Sequence, residues 1–246
     1  MKGLRGAFLA FLLLWLPVIA GAEFLLVKSY AEALPQFSFF TKNRIMSYDI
    51  PSDPGLTAAS FSLAFNGVLA GSFDGEMYSL YIKKDHINPY SDSIVRVFDA
   101  DATGNTYSAK EDWGVHYLGL GVRKYFGENV FAPGEAVFYA GADFGMWFTA
   151  STEADLTVAY GSVANGKIRA QGSFWGGSVE AGADYWFANS FGVTLKAGYK
   201  ICAGKTVNTV YQGNLKPAGI SDRYETDLNY SGLYLQFGLM LGFQEY

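Results

Sequence analysis

The chain ends in an apolar pattern with a period of two. Leu233, Leu235, Phe237, Leu239, Leu241 and Phe243 fall on one side of an extended backbone, and Tyr234, Gln236, Gly238, Met240 and Gly242 fall on the other. Successive side chains of a strand point to opposite faces, so this spacing predicts a β-strand with one wholly apolar face. The design recurs upstream. Phe191, Val193, Leu195, Ala197, Tyr199 and Ile201 oppose Gly192, Thr194, Lys196, Gly198 and Lys200. Trp175, Gly177, Val179, Ala181, Ala183, Tyr185 and Phe187 oppose Phe174, Gly176, Ser178, Glu180, Gly182, Asp184 and Trp186. Phe138, Ala140, Ala142, Phe144, Met146 and Phe148 oppose Tyr139, Gly141, Asp143, Gly145 and Trp147.

Length and polarity narrow the kind of β-protein. These segments run to about a dozen residues, against about 5 to 6 in a usual soluble strand and about 9 to 11 in a tilted membrane strand. The polar face carries charge and glycine while the apolar face is continuous, with aromatics gathered toward strand ends at Tyr185, Trp186, Phe187, Phe191, Tyr199 and Phe243. That arrangement is a barrel turned inside out, greasy outside and polar inside, with an aromatic girdle where lipid meets water. The competing reading is a soluble sandwich or lipocalin-like barrel, which would turn the apolar face inward.

The amino terminus carries the parts of an export signal: Lys2 and Arg5, an apolar run from Ala7 to Ala20, and Ala20-Gly21-Ala22 as a small-x-small cleavage site. Removing the 22 residues Met1 to Ala22 from 246 leaves 224, and the net charge moves from −5 to −7 with the loss of Lys2 and Arg5. Glu23 follows where a lipoprotein would need Cys; an uncleaved anchor running on through Val27 is the alternative. No later segment holds about 18 uninterrupted apolar residues, so any membrane crossing must use strands. The acidic balance argues against nucleic acid as a partner. With a single cysteine, Cys202, there is no intrachain disulfide framework and no Cys-based zinc site; no cofactor or metal site is predicted.

With its export signal and the closing run Leu233 to Phe243, the chain resembles the small bacterial outer-membrane β-barrel proteins, the group that holds the OmpA transmembrane domain and the OmpX/Ail-like and OmpW-like proteins. The likeness is one of architecture and covers roughly the last 135 residues well. Members usually end on the terminal aromatic residue itself, whereas this chain adds Gln244-Glu245-Tyr246, which displaces the assembly signal or shifts it to Tyr246 in the less apolar register. The resemblance implies residence in the outer membrane, outer-membrane lipids and lipopolysaccharide as neighbours, the barrel-assembly machinery as a partner, loops open to an extracellular ligand, and a monomer.

The expected fold is an all-β, transmembrane, up-and-down antiparallel barrel over residues 37–246 with short turns on one side and long loops on the other. Ala188-Asn189-Ser190 reads as a short turn and Tyr125 to Glu135 as a moderate one, while Asp85 to Asp112, Ala150 to Gly172 and Cys202 to Asn229 read as long outside loops. A further strand places Leu118, Leu120 and Val122 opposite Gly119, Gly121 and Arg123. Phe37 to Tyr48, Thr57 to Ala70 and Met77 to Lys84 complete eight strands, with turns at Asp49 to Gly55 and Gly71 to Gly75; the count is ten if Ser93 to Asp99 pairs. Residues 23–36 read as a lead-in, either a short amphipathic helix at the membrane interface or a frayed segment.

On the inner face the charges balance: Arg123, Lys196 and Lys200 against Asp143, Glu180 and Asp184. Gly141-Ala142-Asp143 echoes in Gly182-Ala183-Asp184, which keeps both aspartates inward. With a hairpin turning at Asn189, Glu180 lies opposite Gly198 and diagonally between Lys196 and Lys200, and Asp184 lies opposite Thr194. An eight-stranded barrel is just wide enough for side chains to fill, so this set is expected to plug it.

Three functional classes remain open: a structural or surface-interaction barrel, a small-solute channel, and a lipid-modifying enzyme. Barrel acyltransferases and deacylases need a histidine with serine and acidic partners near the outer leaflet. Only His86, placed in or beside a long loop, and His116, placed on the outward face near the rim, are present, and they lack that arrangement and any ligand spacing. Cys202 reads as a small buried residue. Asp92, Asp99, Asp101, Glu111 and Asp112 are loop acids that could hold divalent cations against lipopolysaccharide phosphates, or simply a solvated surface.

Overall fold

The structure is a computed structural model, and it describes residues 24–40, 59–87, 94–99, 106–112, 115–127, 130–149, 152–159, 165–212 and 223–245. Eight strands close a barrel: β1 (Leu25–Phe40), β2 (Ala59–Phe73), β3 (Glu76–Ile87), β6 (Val115–Phe126), β7 (Ala136–Thr149), β10 (Ser173–Ala188), β11 (Phe191–Ile201) and β14 (Gly232–Glu245). Six shorter strands form a second sheet: β4 (Ile94–Asp99), β5 (Thr106–Asp112), β8 (Thr152–Ala159), β9 (Asn165–Gln171), β12 (Ala203–Gln212) and β13 (Arg223–Asn229). The barrel order is β1-β14-β11-β10-β7-β6-β3-β2, every neighbour antiparallel, so the chain runs up and down and closes first strand on last. Among the described residues no helix is long and apolar enough to cross a membrane; crossing by strands is a separate matter.

The apolar alternation faces outward. On β14, Leu233, Leu235, Phe237, Leu239, Leu241 and Phe243 are between 47% and 72% exposed, whereas Tyr234, Gln236 and Met240 between them are at most 1% exposed. A chain that leaves this surface bare and buries its charges needs an apolar surrounding, since burial in water runs the other way.

Turn chemistry fixes the short end. Asp74 and Gly75 both take positive φ, 49° and 78°, the two-residue geometry that matches the twist of a β-hairpin and that an Asp-Gly pair adopts readily. The turn expected over Gly71 to Gly75 is thus tighter, because Gly71 and Ser72 still pair with Leu26 and Leu25. Between β10 and β11 the turn is Asn189-Ser190, with a bulge at Trp186/Ala188. The third link, from β6 to β7, folds under the barrel: Phe131 takes φ 78° and packs its ring against Tyr30, Tyr125 and Trp186, while Gly134 donates its N–H to the Trp186 carbonyl at 2.8 Å.

Several expectations change. Residues 23–36 are no helix or frayed lead-in: Leu25–Phe40 is the first barrel strand, and it pairs with β2 and β14 along its length. Pro35 disguises it, and the ladder to β14 skips Leu34 and Pro35, where proline has no N–H to give. Ile94–Asp99 does pair, but with β5 in the second sheet, so the barrel keeps eight strands. The stretches read as long loops are hairpins, β4-β5, β8-β9 and β12-β13, joined in the order β13-β12-β9-β8-β5-β4. The export signal, the stretch from Lys42 to Tyr48 and the turn at Asp49 to Gly55 lie outside the described residues.

Candidate functional site

The barrel interior is the polar constellation of this fold. Its inward positions carry ten buried charged residues among those described: Lys28, Lys83, Arg123, Lys196 and Lys200 against Glu32, Asp85, Asp143, Glu180 and Asp184. Formal charge therefore cancels among these buried residues, where an unmatched ion would be costly. The six residues predicted from sequence, Arg123, Asp143, Glu180, Asp184, Lys196 and Lys200, all lie inside. The register of the β10-β11 hairpin sets Glu180 opposite Gly198 and Asp184 opposite Thr194.

Arg123 organises the middle. Its Nη1 and Nη2 donate to both oxygens of Glu32, at 2.5 and 2.8 Å, and its Nε donates to Glu180 Oε1 at 2.9 Å. Two-point pairing suits the planar guanidinium and resists rotation. Lys196 Nζ lies 3.1 Å from Glu32 Oε2 and 3.8 Å from Glu180 Oε1. Asn66 donates to Glu32 at 2.6 Å and the Tyr234 hydroxyl to Glu180 at 2.9 Å. The guanidinium sits between the rings of Tyr81 and Tyr139, 4.6 and 4.7 Å from their centroids, a cation–π sandwich.

Glycines make room for these rings. A Cβ on Gly121 would run into the Tyr81 ring, one on Gly182 into the Tyr139 hydroxyl, and one on Gly198 into the ring of Tyr234. The alternation of glycine and charge on the inner face is therefore a packing device: the tyrosine side chain occupies the space a neighbouring Cβ would take.

A second cluster lies toward the long-hairpin end. Asp143 accepts from Lys83 at 2.9 Å, from the Tyr117 hydroxyl at 2.5 Å and from Ser178, and Lys83 also donates to Ser178 at 2.8 Å. Lys200 pairs with Asp85, which also takes Gln36 Nε2 at 3.3 Å, and Gln236 donates to Gln36. Trp147 covers Tyr117, ring centroids 4.6 Å apart, and donates to the Ile201 carbonyl at 3.1 Å. At the opposite end Tyr30 and Tyr125 share a 2.6 Å hydroxyl contact, and the Tyr125 hydroxyl reaches Asp184 Oδ2 at 3.4 Å. Lys28 Nζ lies 3.7 Å from the centre of the Trp186 ring, and Phe131, Tyr30, Val137 and Met240 fill the floor beside it.

Sequence reasoning missed Lys28 and Glu32, because residues 23–36 read as a lead-in, and Asp85, because the expected strand Met77 to Lys84 stops short of it; Lys83 lies within that strand, but with Lys84 beside it the sequence does not say which lysine faces inward. Trp186, a girdle residue by its place at a strand end, is instead fully buried inside, on the same face as Asp184. His86 belongs to β3 and not to a loop; it stands directly opposite His116 on β6, with the imidazoles stacked at 4.4 Å, and His116 in turn stacks on Phe148 at 5.7 Å. Cys202 is buried and forms no disulfide. Asp99, Glu111 and Asp112 fall in β4 and β5; Asp92 and Asp101 lie outside the described residues. No group of three or more His, Cys, Asp or Glu with metal-holding geometry occurs among the described residues.

No family model matches the sequence, and no curated protein matches it. Among solved structures, the outer membrane protein OprG from Pseudomonas aeruginosa is similar at 11% identity, covering 89% of this chain and 98% of that one, with a TM-score of 0.50. A major outer membrane protein from Thermus thermophilus is similar at 10% identity over 87% and 99% of the two chains, TM-score 0.49. Neisserial surface protein A, NspA, is similar at 15% identity over 91% and 99%, TM-score 0.40. At these identities the likeness is one of fold. The architecture is that of the small bacterial outer-membrane eight-stranded β-barrels.

Proposed function

We propose that the chain is an integral outer-membrane barrel with a structural or surface-interaction role, a closed pedestal that carries the second sheet outside the cell. One observation supports this above the others: five cations and five carboxylates fill the interior and are tied to one another and to aromatic side chains, with a floor of Tyr30, Phe131 and Trp186 beneath. An interior so filled leaves function to what stands beyond the barrel. The hairpins β4-β5, β8-β9 and β12-β13 supply that surface, all at the end opposite the short turns. The role is read as non-enzymatic because His86 and His116 lack the serine and acidic arrangement that acyl transfer needs.

The test is topological. The expressed chain is expected in the outer-membrane fraction as a band whose gel mobility shifts on boiling, and an epitope inserted within 160–164 is expected to be labelled on intact cells. A soluble periplasmic band without a heat shift contradicts the proposal.

A further inference from the structure

The outward face of the barrel is apolar with few exceptions, and among the described outward positions two lysines stand out. Lys124 lies at the short-turn end and pairs with Glu76 at 2.5 Å. Lys84 is exposed toward the other end, between Phe65 on β2 and Leu118 on β6, with Ile82 below it. A lysine on a lipid-facing surface is costly at depth and tolerable near the interface.

Lys84 stands three residues below Ile87, the end of β3. At about 3.3 Å per residue and a strand tilt of roughly 40°, that is about 8 Å of height. A lysine stem snorkels upward over such a distance. Directly above it on the same face are His86 and, across the ladder, His116, both half-buried and stacked, with Phe148 closing the far side of His116. Three nitrogen-bearing side chains from two strands thus share one outward patch near the end of the barrel, beside the exposed apolar side chains of Phe65, Ile82, Leu118 and Leu120.

We propose that Lys84, His86 and His116 hold the phosphate of an outer-leaflet lipid whose acyl chains lie on that apolar skirt. The inference rests on the outer-membrane reading and adds to it a specific lipid contact. A phosphate accepts hydrogen bonds in several directions, as an ammonium and two imidazoles require, and the apolar surface beneath favours a membrane lipid over a soluble anion.

The experiment uses the folded full chain in vesicles of phosphatidylcholine doped with lipid A, followed by extraction and quantification of the lipids that remain bound. The wild type is expected to enrich lipid A over phosphatidylcholine by about fivefold or more. The Lys84→Gln/His86→Gln/His116→Gln variant is expected to lose that enrichment while keeping its heat-shifted band, and Lys84→Arg is expected to retain it. Equal enrichment in the folded triple variant overturns the proposal, as does displacement of lipid A by inorganic phosphate, which would assign the contact to a soluble anion. A wild type that inserts and shifts on boiling but shows no enrichment overturns the lipid contact alone; a wild type that does not insert overturns the barrel reading with it.

Discussion

Arg123 and Glu32, 91 positions apart in the chain, meet inside the barrel as a two-point pair at 2.5 and 2.8 Å. The contact ties β6 to β1 across the lumen, and Lys196 from β11 joins it at 3.1 Å. Removing the carboxylate therefore leaves two buried cations to share Glu180 alone. Glu32→Ala is expected to lower barrel stability by about 3 to 5 kcal/mol in urea unfolding from lipid or detergent. Glu76→Ala, which breaks the exposed contact to Lys124 and the hydrogen bond from the Tyr78 hydroxyl, is expected to lower it by only a small fraction of that. Equal effects of the two substitutions would remove the claim that the interior network holds the barrel.

Gly121 lies beneath the Tyr81 ring, which in turn lies against Arg123. Gly121→Ala is expected to cost about 1 to 3 kcal/mol, because the added methyl must displace the ring. In the double variant with Tyr81→Ala the glycine substitution is expected to cost much less, a coupling read from a double-mutant cycle. Additive effects would contradict the packing role assigned to the glycine.

Phe131 combines a buried ring with a left-handed backbone, φ 78°. Phe131→Ala is expected to cost about 3 kcal/mol from the lost packing. Phe131→Gly is expected to be the more stable of the two by about 1 kcal/mol, since glycine takes this φ without strain. Thermal unfolding midpoints in the reverse order would show that the β6-β7 link is not held in this conformation.

Phe237 sits near the middle of the apolar face of β14, 57% exposed. Phe237→Arg is expected to destabilise the barrel in vesicles by about 2 to 4 kcal/mol, the cost of a cation near the bilayer midplane. A neutral effect would place this face outside the hydrocarbon.

Much of the fold is legible in the alternation. Where one face is uniformly apolar, as in β7, β10, β11 and β14, period two assigns inside and outside at once, and the register of Glu180 and Asp184 follows from the turn at Asn189. The first strand is not legible, because its outward face holds small Ala31 and Ala33 and then Pro35, while Leu34 points inward. Losing β1 hides Glu32, the acid that Arg123 and Lys196 share. In β3, the expected strand ends at Lys84 and the loop begins at Asp85, yet the strand runs on to Ile87, with Lys83 and Asp85 facing in and Lys84 facing out. Most of the outer hairpins escape for another reason: apart from Ile94–Asp99, which the sequence offers as a possible strand, their strands lack a continuous apolar face and show only in the backbone pairing.

The central claim is that the interior is closed, and planar-bilayer conductance tests it most directly. The folded, heat-modifiable chain is expected to give no conductance steps in salt solution at moderate voltage, if, as proposed, the paired charges and the floor of Tyr30, Phe131 and Trp186 close the water path. Reproducible unitary steps that vanish with boiled protein would contradict it and establish a small-solute channel lined by the same residues.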